Sequence, residues 1–227
     1  MMIQKFLILV WGACLLFSMM LPVSAAEQVF PLASGKNDNS KFLKKSLEKL
    51  SNMAGFNCHF DQRIAYDDGS SQSYSGELAV RKPGHFRWQY RQPYEQLYIG
   101  DGKVIWHYEA DLMQAERLSD LESVDPVVMR LLDGRIEFSD IHVLRQEHDE
   151  RLNIWLYQVQ IGDAPAVWLG FSKYGDLSSV ERQDVLGNSN RMTLSTCSFI
   201  APAANLFSFT PPDGVEVLDL RTNNLTK

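Results

Sequence analysis

The sequence predicts a mainly β fold of the α+β class: a large antiparallel sheet that curls into a barrel or half-barrel, with helices on one face or across one opening. Three observations carry this. Roughly ten short segments alternate apolar and polar residues with a period of 2, each bounded by a turn signal such as DDGSSQ, GDG, YGDL or LGNSN. Only two segments of the mature chain have helical character. No internal repeat, low-complexity tract or linker divides residues 27–227, so one domain is expected.

Residues 1–26 read as a secretory signal peptide, with MMIQK as the charged start, FLILVWGACLLFSMMLPV as the apolar stretch, and SAA before Glu27 as the small residues of a cleavage site. The triplet GAC at 12–14 offers a second reading, lipidation at Cys14, which would make a membrane-tethered lipid-binding or acceptor protein; Trp11 before it and the better cleavage site after it favour the first. Removing the leader takes the formal charge from −6 to −7. An acidic chain lacks the basic footprint that phosphate backbones require, so no nucleic-acid partner is expected.

After an aperiodic stretch at 27–37, KFLKKSLEKLSNMAGF places Leu43, Leu47, Leu50 and Ala54 at helical spacing. Asn39 or Ser40 stands as its N-cap and Gly55 as its stop. The period then changes to 2: Phe56, Cys58, Phe60, Ile64 and Tyr66 share one face, and Tyr74, Leu78 and Val80 return beside them. HFRWQY, EQLYIG, KVIWHYEA and a run near DLMQAERL follow. DPVVMRLLDG at 125–134 interrupts as a short helix, with Asp125 as N-cap, Pro126 at its first position and Gly134 as C-cap. Being apolar on nearly all sides, it must be covered or cover something. IHVLRQEH, RLNIWLYQVQI, AVWLGFS, SSVERQDV, RMTLSTCSF and LFSFTPPDGVEV complete the strands.

Cys58 and Cys197 remain after the leader is lost. In an oxidising compartment they pair as one disulfide or persist as two separate buried thiols.

The chemistry-bearing motifs of hydrolases, zinc proteases, nucleotide binders and thiol oxidoreductases (GxSxG, HExxH, GxGxxG, the P-loop, CxxC) are absent from the sequence. His107, Glu109 and Asp111 would line one strand face, as metal ligands or as a solvated outer face alternating with inward Trp106 and Tyr108; period alone favours the outer face. Neither a catalytic residue nor a metal or cofactor is therefore expected. What the chain has in abundance is large apolar side chains aimed into one sheet face, which suits an ordinary packed core or a cavity for an apolar ligand. With Leu78 and Val80 inward, the period puts Lys82 on that face and Arg81 on the other. A cation there needs acceptors, and either the last carbonyls of a helix supply them or the side chain snorkels to water.

The ordered set FDQ (60–62), GELAVRKPGHFRWQY (76–90), QPYEQLYIGDGKVIWHYEADLMQAE (92–116), the DP helix and LFSFTPPDGVEVLDL (206–220) resembles the periplasmic outer-membrane lipoprotein carrier family, LolA. The resemblance implies an incomplete (unclosed) antiparallel β-barrel of about 10–11 strands, with helices forming a lid over an apolar cavity for acyl chains. It also implies a non-enzymatic periplasmic carrier that acts as a monomer. Such a carrier takes acylated lipoproteins from an inner-membrane ABC transporter and gives them to an outer-membrane receptor. The cavity and its mouth would fall to Phe60, Leu78, Val80, Phe86, Trp88, Tyr90, Trp106, Val128, Leu131 and Leu132. In the family pattern the basic residue before the proline bonds the lid, which maps to Lys82; here Arg and Lys stand in reverse of the usual order, so Arg81 is the alternative latch.

Overall fold

The computed structural model describes residues 36–118, 129–131 and 133–221. The leader at 1–26 with Cys14, and Asp125, Pro126, Val128 and Leu132 of the short apolar segment, lie outside the described residues. The first element is helix α1 (Lys36–Asn52). It starts before Asn39 and Ser40, which therefore sit within the helix, and it ends at Asn52, ahead of Gly55, which opens the first strand. Leu43, Leu47 and Leu50 form its buried stripe, and Lys41, Lys44, Lys45 and Lys49 keep to its other sides.

Twelve strands form one sheet: β1 (Gly55–Ala65), β2 (Ser71–Arg81), β3 (His85–Gln92), β4 (Gln96–Asp101), β5 (Ile105–Glu109), β6 (Gln114–Leu118), β7 (Ile141–Asp149), β8 (Ile154–Ile161), β9 (Val167–Ser172), β10 (Leu177–Gln183), β11 (Ser189–Ser198) and β12 (Glu216–Asp219). Their spatial order is β12-β6-β5-β4-β3-β2-β1-β11-β10-β9-β8-β7. Among the described residues β12 and β7 do not pair, so the sheet is unclosed. Every pairing is antiparallel except β12 on β6. The two meanders, β1 to β6 and β7 to β11, meet where β1 pairs with β11.

Registers fix which residues share the concave face. Phe56 pairs with Val80 and Val80 with Phe86; Cys58 pairs with Leu78, Leu78 with Trp88 and Trp88 with Tyr98. The face continues on the other side through Leu194, Met192, Val180, Leu169 and Tyr157. These residues form one buried cluster with Leu43, Leu47 and Leu50, so the sheet wraps around α1. Where the resemblance implied a cavity, the interior in this state is occupied by the helix: Leu43, Phe60, Leu78 and Tyr157 are at most 1 % exposed.

The closing segment differs from the expected strand over LFSFTPPDGVEV. Ala204–Phe207 forms a 3-10 turn, and only Glu216–Asp219 joins the sheet. Pro211 and Pro212 have no N–H to give a ladder, which delays pairing until they are passed. The segment lies on the convex face instead, where Phe207 is buried and Phe209 packs on Trp106 and Tyr108 at 5.6 and 5.4 Å.

Cys58 and Cys197 are joined by a disulfide between β1 and β11. It sits where β11 carries one extra residue, because Asn57 pairs with Ser198 but His59 with Ser195. The bond ties residues 139 apart in sequence across the seam of the two meanders. Cross-links of that span restrict the unfolded chain, by about 2–4 kcal/mol in typical cases. The Cys58→Ala/Cys197→Ala double variant is accordingly expected to lose about 2–4 kcal/mol in urea unfolding; a loss under about 0.5 kcal/mol, the size of an ordinary surface change, would contradict this.

Candidate functional site

The functional candidate is the concave trough together with the helix that fills it. Its inner wall on β1 to β4 is aromatic. Trp88 stacks on Tyr90 with ring centroids 5.9 Å apart, and Phe60 meets both edge-on, at 5.9 Å for Trp88 and 5.1 Å for Tyr90. Period 2 on β3 puts Phe86, Trp88 and Tyr90 on one face. Gly100, opposite Phe86 on β4, gives that ring its room: a Cβ there would fall 2.8 Å from Phe86 Cδ1. The Tyr90 hydroxyl donates to Gln62 Oε1 at 3.0 Å; burial first, then Tyr98 and Tyr74 beside it, push its pKa well above the ordinary tyrosine value.

Helix α1 is held at both ends by side chains of the sheet. Near its N-terminus the Tyr157 hydroxyl donates to the Asn39 carbonyl at 3.0 Å, and burial pushes that phenol up to about 12. At its C-terminus the Lys82 ammonium donates to the carbonyl oxygens of Leu50 and Ser51, the latter at 3.2 Å. These are the carbonyls that a helix end leaves without a backbone donor, and they carry its partial negative charge. In the last turn of the helix Lys49 pairs with Asp176 at 2.6 Å.

The short segment after β6 closes on the same junction. Residues 129–131 are helical, with Met129 and Leu131 buried in the trough cluster. Gly134 ends that turn with φ +69, its N–H on the Leu131 carbonyl while the Arg135 N–H reaches the Arg130 carbonyl, the bonding of a Schellman cap. A Cβ at Gly134 would lie 2.5 Å from Lys82 Nζ and 2.8 Å from Ser51 Cα, so glycine serves both the left-handed turn and the approach. Ser51 Oγ donates to the Gly134 carbonyl at 3.1 Å, and Asp133 Oδ1 accepts from the Gly84 N–H at 2.9 Å. Lys82 is thus the point where β2, α1 and this segment converge.

Arg81 takes the opposite side, where its Nη1 donates to the Pro202 carbonyl at 2.9 Å and pins the closing segment to the convex face. The turn between the two residues and β3 contains a cis bond at Lys82–Pro83.

Burial lowers the Lys82 pKa below the ordinary lysine value, and the Asp133 carboxylate pulls it part of the way back. In the window between the lowered and the ordinary value the unfolded chain binds more protons than the folded one. Folding stability from this group therefore rises with pH through that window, and the cost is fully present below it. The difference in urea-unfolding free energy between wild type and Lys82→Met should shift toward wild type as pH climbs from neutral toward the ordinary lysine value; a falling difference would refute the assignment.

Two sequence expectations need correcting at β5. Trp106 is not in the trough: it lies on the convex face, with the Arg117 guanidinium 4.6 Å over it and Phe209 against it. His107 and Glu109 are correspondingly on the concave side, the reverse of the expected phase, while Asp111 is exposed in the following turn. The reason is that both faces are covered here, so the largest apolar residues do not mark the interior. His107 stacks under Tyr98 at 4.2 Å, with Nδ1 3.2 Å from Glu116 Oε2 and Nε2 3.5 Å from Glu109 Oε1. Burial, then Glu109 and Glu116, raise the Tyr98 pKa. Among the described residues no three His, Cys, Asp or Glu groups are arranged to hold a metal ion.

Sequence reasoning missed Tyr157, Met129, Asp133 and Glu116. Tyr157 was visible as an inward position in the alternation of IWLYQVQI, but nothing local shows that its hydroxyl meets α1 across 118 residues.

An unclosed β-barrel with a helix seated in its trough and bonded at both ends is a container with a cover. The family model for outer membrane lipoprotein carrier protein LolA matches residues 51–210, and the chain belongs to this family. It is 34 % identical over 187 residues to an outer-membrane lipoprotein carrier protein of Nitrosomonas europaea, covering 77 % of this chain and 87 % of that one. The corresponding protein of Chromobacterium violaceum is 32 % identical over 165 residues, covering 70 % and 78 %. An uncharacterized conserved protein of Thermus thermophilus shares the fold, with a TM-score of 0.52 at 9 % identity over 80 % of this chain and 99 % of that one.

Proposed function

We propose that this protein is a carrier that shields the acyl chains of lipoproteins in the periplasm of a Gram-negative cell, after a signal peptide at 1–26 is removed. It acts as a monomer, receives its cargo from an inner-membrane lipoprotein-releasing ABC transporter and surrenders it to an outer-membrane receptor. Family membership supports the cargo class. The observation that carries the mechanism is the apolar trough filled by Leu43, Leu47 and Leu50 of a helix whose end is bonded to Lys82.

Magnitudes explain why a carrier keeps such a filler. A triacylated anchor of roughly forty methylenes, at about 0.8 kcal/mol each, would gain on the order of 30 kcal/mol on burial. That exceeds the practical ceiling of about 20 kcal/mol for non-covalent binding, and cargo held so tightly would never leave. Displacing α1 offsets part of the gain, since re-exposing each buried leucine costs about 1.5–3 kcal/mol. Lys82 then sets how much of the remainder is spent on opening. Incubation with inner-membrane vesicles and ATP tests the reading: it expects soluble 1:1 complexes of this protein with an acylated protein. If acylated proteins stay in the membrane at all concentrations, the reading is wrong.

A further inference from the structure

Trp88 holds a donor that the closed protein does not use. The residue is 7 % exposed, and its Nε1 is shut off from solvent with no hydrogen-bond partner among the described residues. Other polar side chains of the trough are paired: Tyr90 bonds Gln62, Tyr157 bonds the Asn39 carbonyl, and Ser46 Oγ bonds the Phe42 carbonyl at 2.9 Å. His107 Nε2 on β5 also lacks a hydrogen bond among the described residues but faces the Glu109 carboxylate at 3.5 Å, a neighbour that Trp88 does not have. A buried donor left unpaired costs free energy that a phenylalanine filling the same wall would not. Trp88 also stands in the second inward-facing row from the turn that carries Lys82, since Val80 pairs with Phe86 and Leu78 with Trp88. It is therefore close to the end of the trough where the cover is latched.

We propose that the Trp88 indole N–H donates a hydrogen bond to an acyl-ester carbonyl oxygen of the lipid anchor when α1 is displaced. The inference rests on the carrier reading and specifies one contact within it. An indole N–H is a donor only, so its partner must be an acceptor. An occupant of an apolar trough must be mostly hydrocarbon, and the acceptor that travels with a fatty chain is the carbonyl at its head. A carbonyl at Trp88 sets the head of the chain near the latched end and leaves the tail to run along the apolar rows beyond. The bond is made only in the loaded state, so it favours entry without adding to the stability of the empty protein.

The test uses the full mature chain and two synthetic lipopeptides of equal chain length, one with ester-linked diacylglyceryl cysteine and one with the dialkyl ether analogue, which lacks the carbonyls. Wild type is expected to bind the ester form roughly tenfold more tightly, the scale of one well-made hydrogen bond. Trp88→Phe is expected to bind both forms alike. A second variant carrying benzothienylalanine at position 88 keeps the ring shape and removes only the N–H, and should behave as Trp88→Phe does. The infrared band of the bound ester carbonyl should lie at lower wavenumber in wild type than in either variant. Competition by a diacyl phospholipid separates the two sources of such a carbonyl: displacement with the same dependence on Trp88 supports phospholipid as an occupant too, and failure to displace supports the lipoprotein anchor alone. Equal binding of ester and ether forms by wild type, or an unchanged preference in both variants, would overturn the inference while leaving the carrier reading intact. Binding of neither lipopeptide by wild type would overturn both.

Discussion

Lys82→Leu is expected to load acylated protein more readily than wild type and to release it more slowly, by roughly tenfold in the ratio of retained to transferred cargo. The leucine removes the donor of the Leu50 and Ser51 carbonyls at the partly buried C-terminal end of α1. Leaving buried acceptors unpaired costs about 1–3 kcal/mol each, and about 1.4 kcal/mol is a factor of ten. On the proposed carrier mechanism the cost falls on the covered state alone, because loading displaces α1 from the trough. A ligand that binds only the open form gains apparent affinity in proportion to the open population. Uptake from inner-membrane vesicles and transfer to outer-membrane vesicles, measured on the same preparation, should therefore move in opposite directions. Arg81→Leu is the control, since its partner is the Pro202 carbonyl on the convex side; if Arg81→Leu shifts transfer and Lys82→Leu does not, the latch has been assigned to the wrong residue.

Leu47→Ala is expected to separate stability from function in a second way. Leu47 is 2 % exposed, at the middle of the buried stripe of α1. Truncating a buried leucine costs about 2–5 kcal/mol, through lost transfer energy and the cavity left behind. Urea unfolding should register that loss. Cargo uptake should rise, because the displaced helix forfeits less contact with the trough. A leucine that merely belonged to the core would lower stability and uptake together, and that paired fall would remove α1 from the mechanism. Phe171→Ala, on the sheet side of the same cluster, is expected to lower both.

How far the sequence revealed this arrangement depended on whether one face of an element was wet. Along β1 the pattern Phe56, Cys58, Phe60 against Asn57, His59, Asp61 is clean because the second set is exposed, and the period alone assigns the faces. The same holds for the leucine stripe of α1, and for the inward phase of Lys82. At β5 the rule fails: Trp106 and Tyr108 lie under Phe209, whereas His107 and Glu109 form a polar group on the concave side. An apolar–polar alternation cannot say which side is the interior when the chain's own closing segment covers the other. The extent of that segment was hidden for a related reason, since a 3-10 turn at Ala204–Phe207 has too few residues to show a period. Nor could a local pattern reveal that the trough is filled by α1, because the contacts that hold it there are non-local, 32 positions apart at Lys82 and Leu50 and 118 apart at Tyr157 and Asn39.

The central claim is that cargo and α1 compete for one space, and a helix that cannot leave tests it most directly. Ser46 lies on α1 against the turn between β9 and β10, where an ideal Cβ at Gly175 would stand 3.6 Å from Ser46 Cβ. That spacing suits a disulfide, although the φ of +79 at Gly175 puts the new cysteine in a left-handed conformation at a cost of about 1–2 kcal/mol. Loading of an acylated lipoprotein by the Ser46→Cys/Gly175→Cys variant would be measured oxidised and after reduction, with wild type treated identically. The competition predicts no soluble complex while the bond is intact and recovery once it is reduced; an oxidised variant that loads cargo as wild type does would show that the helix never has to move.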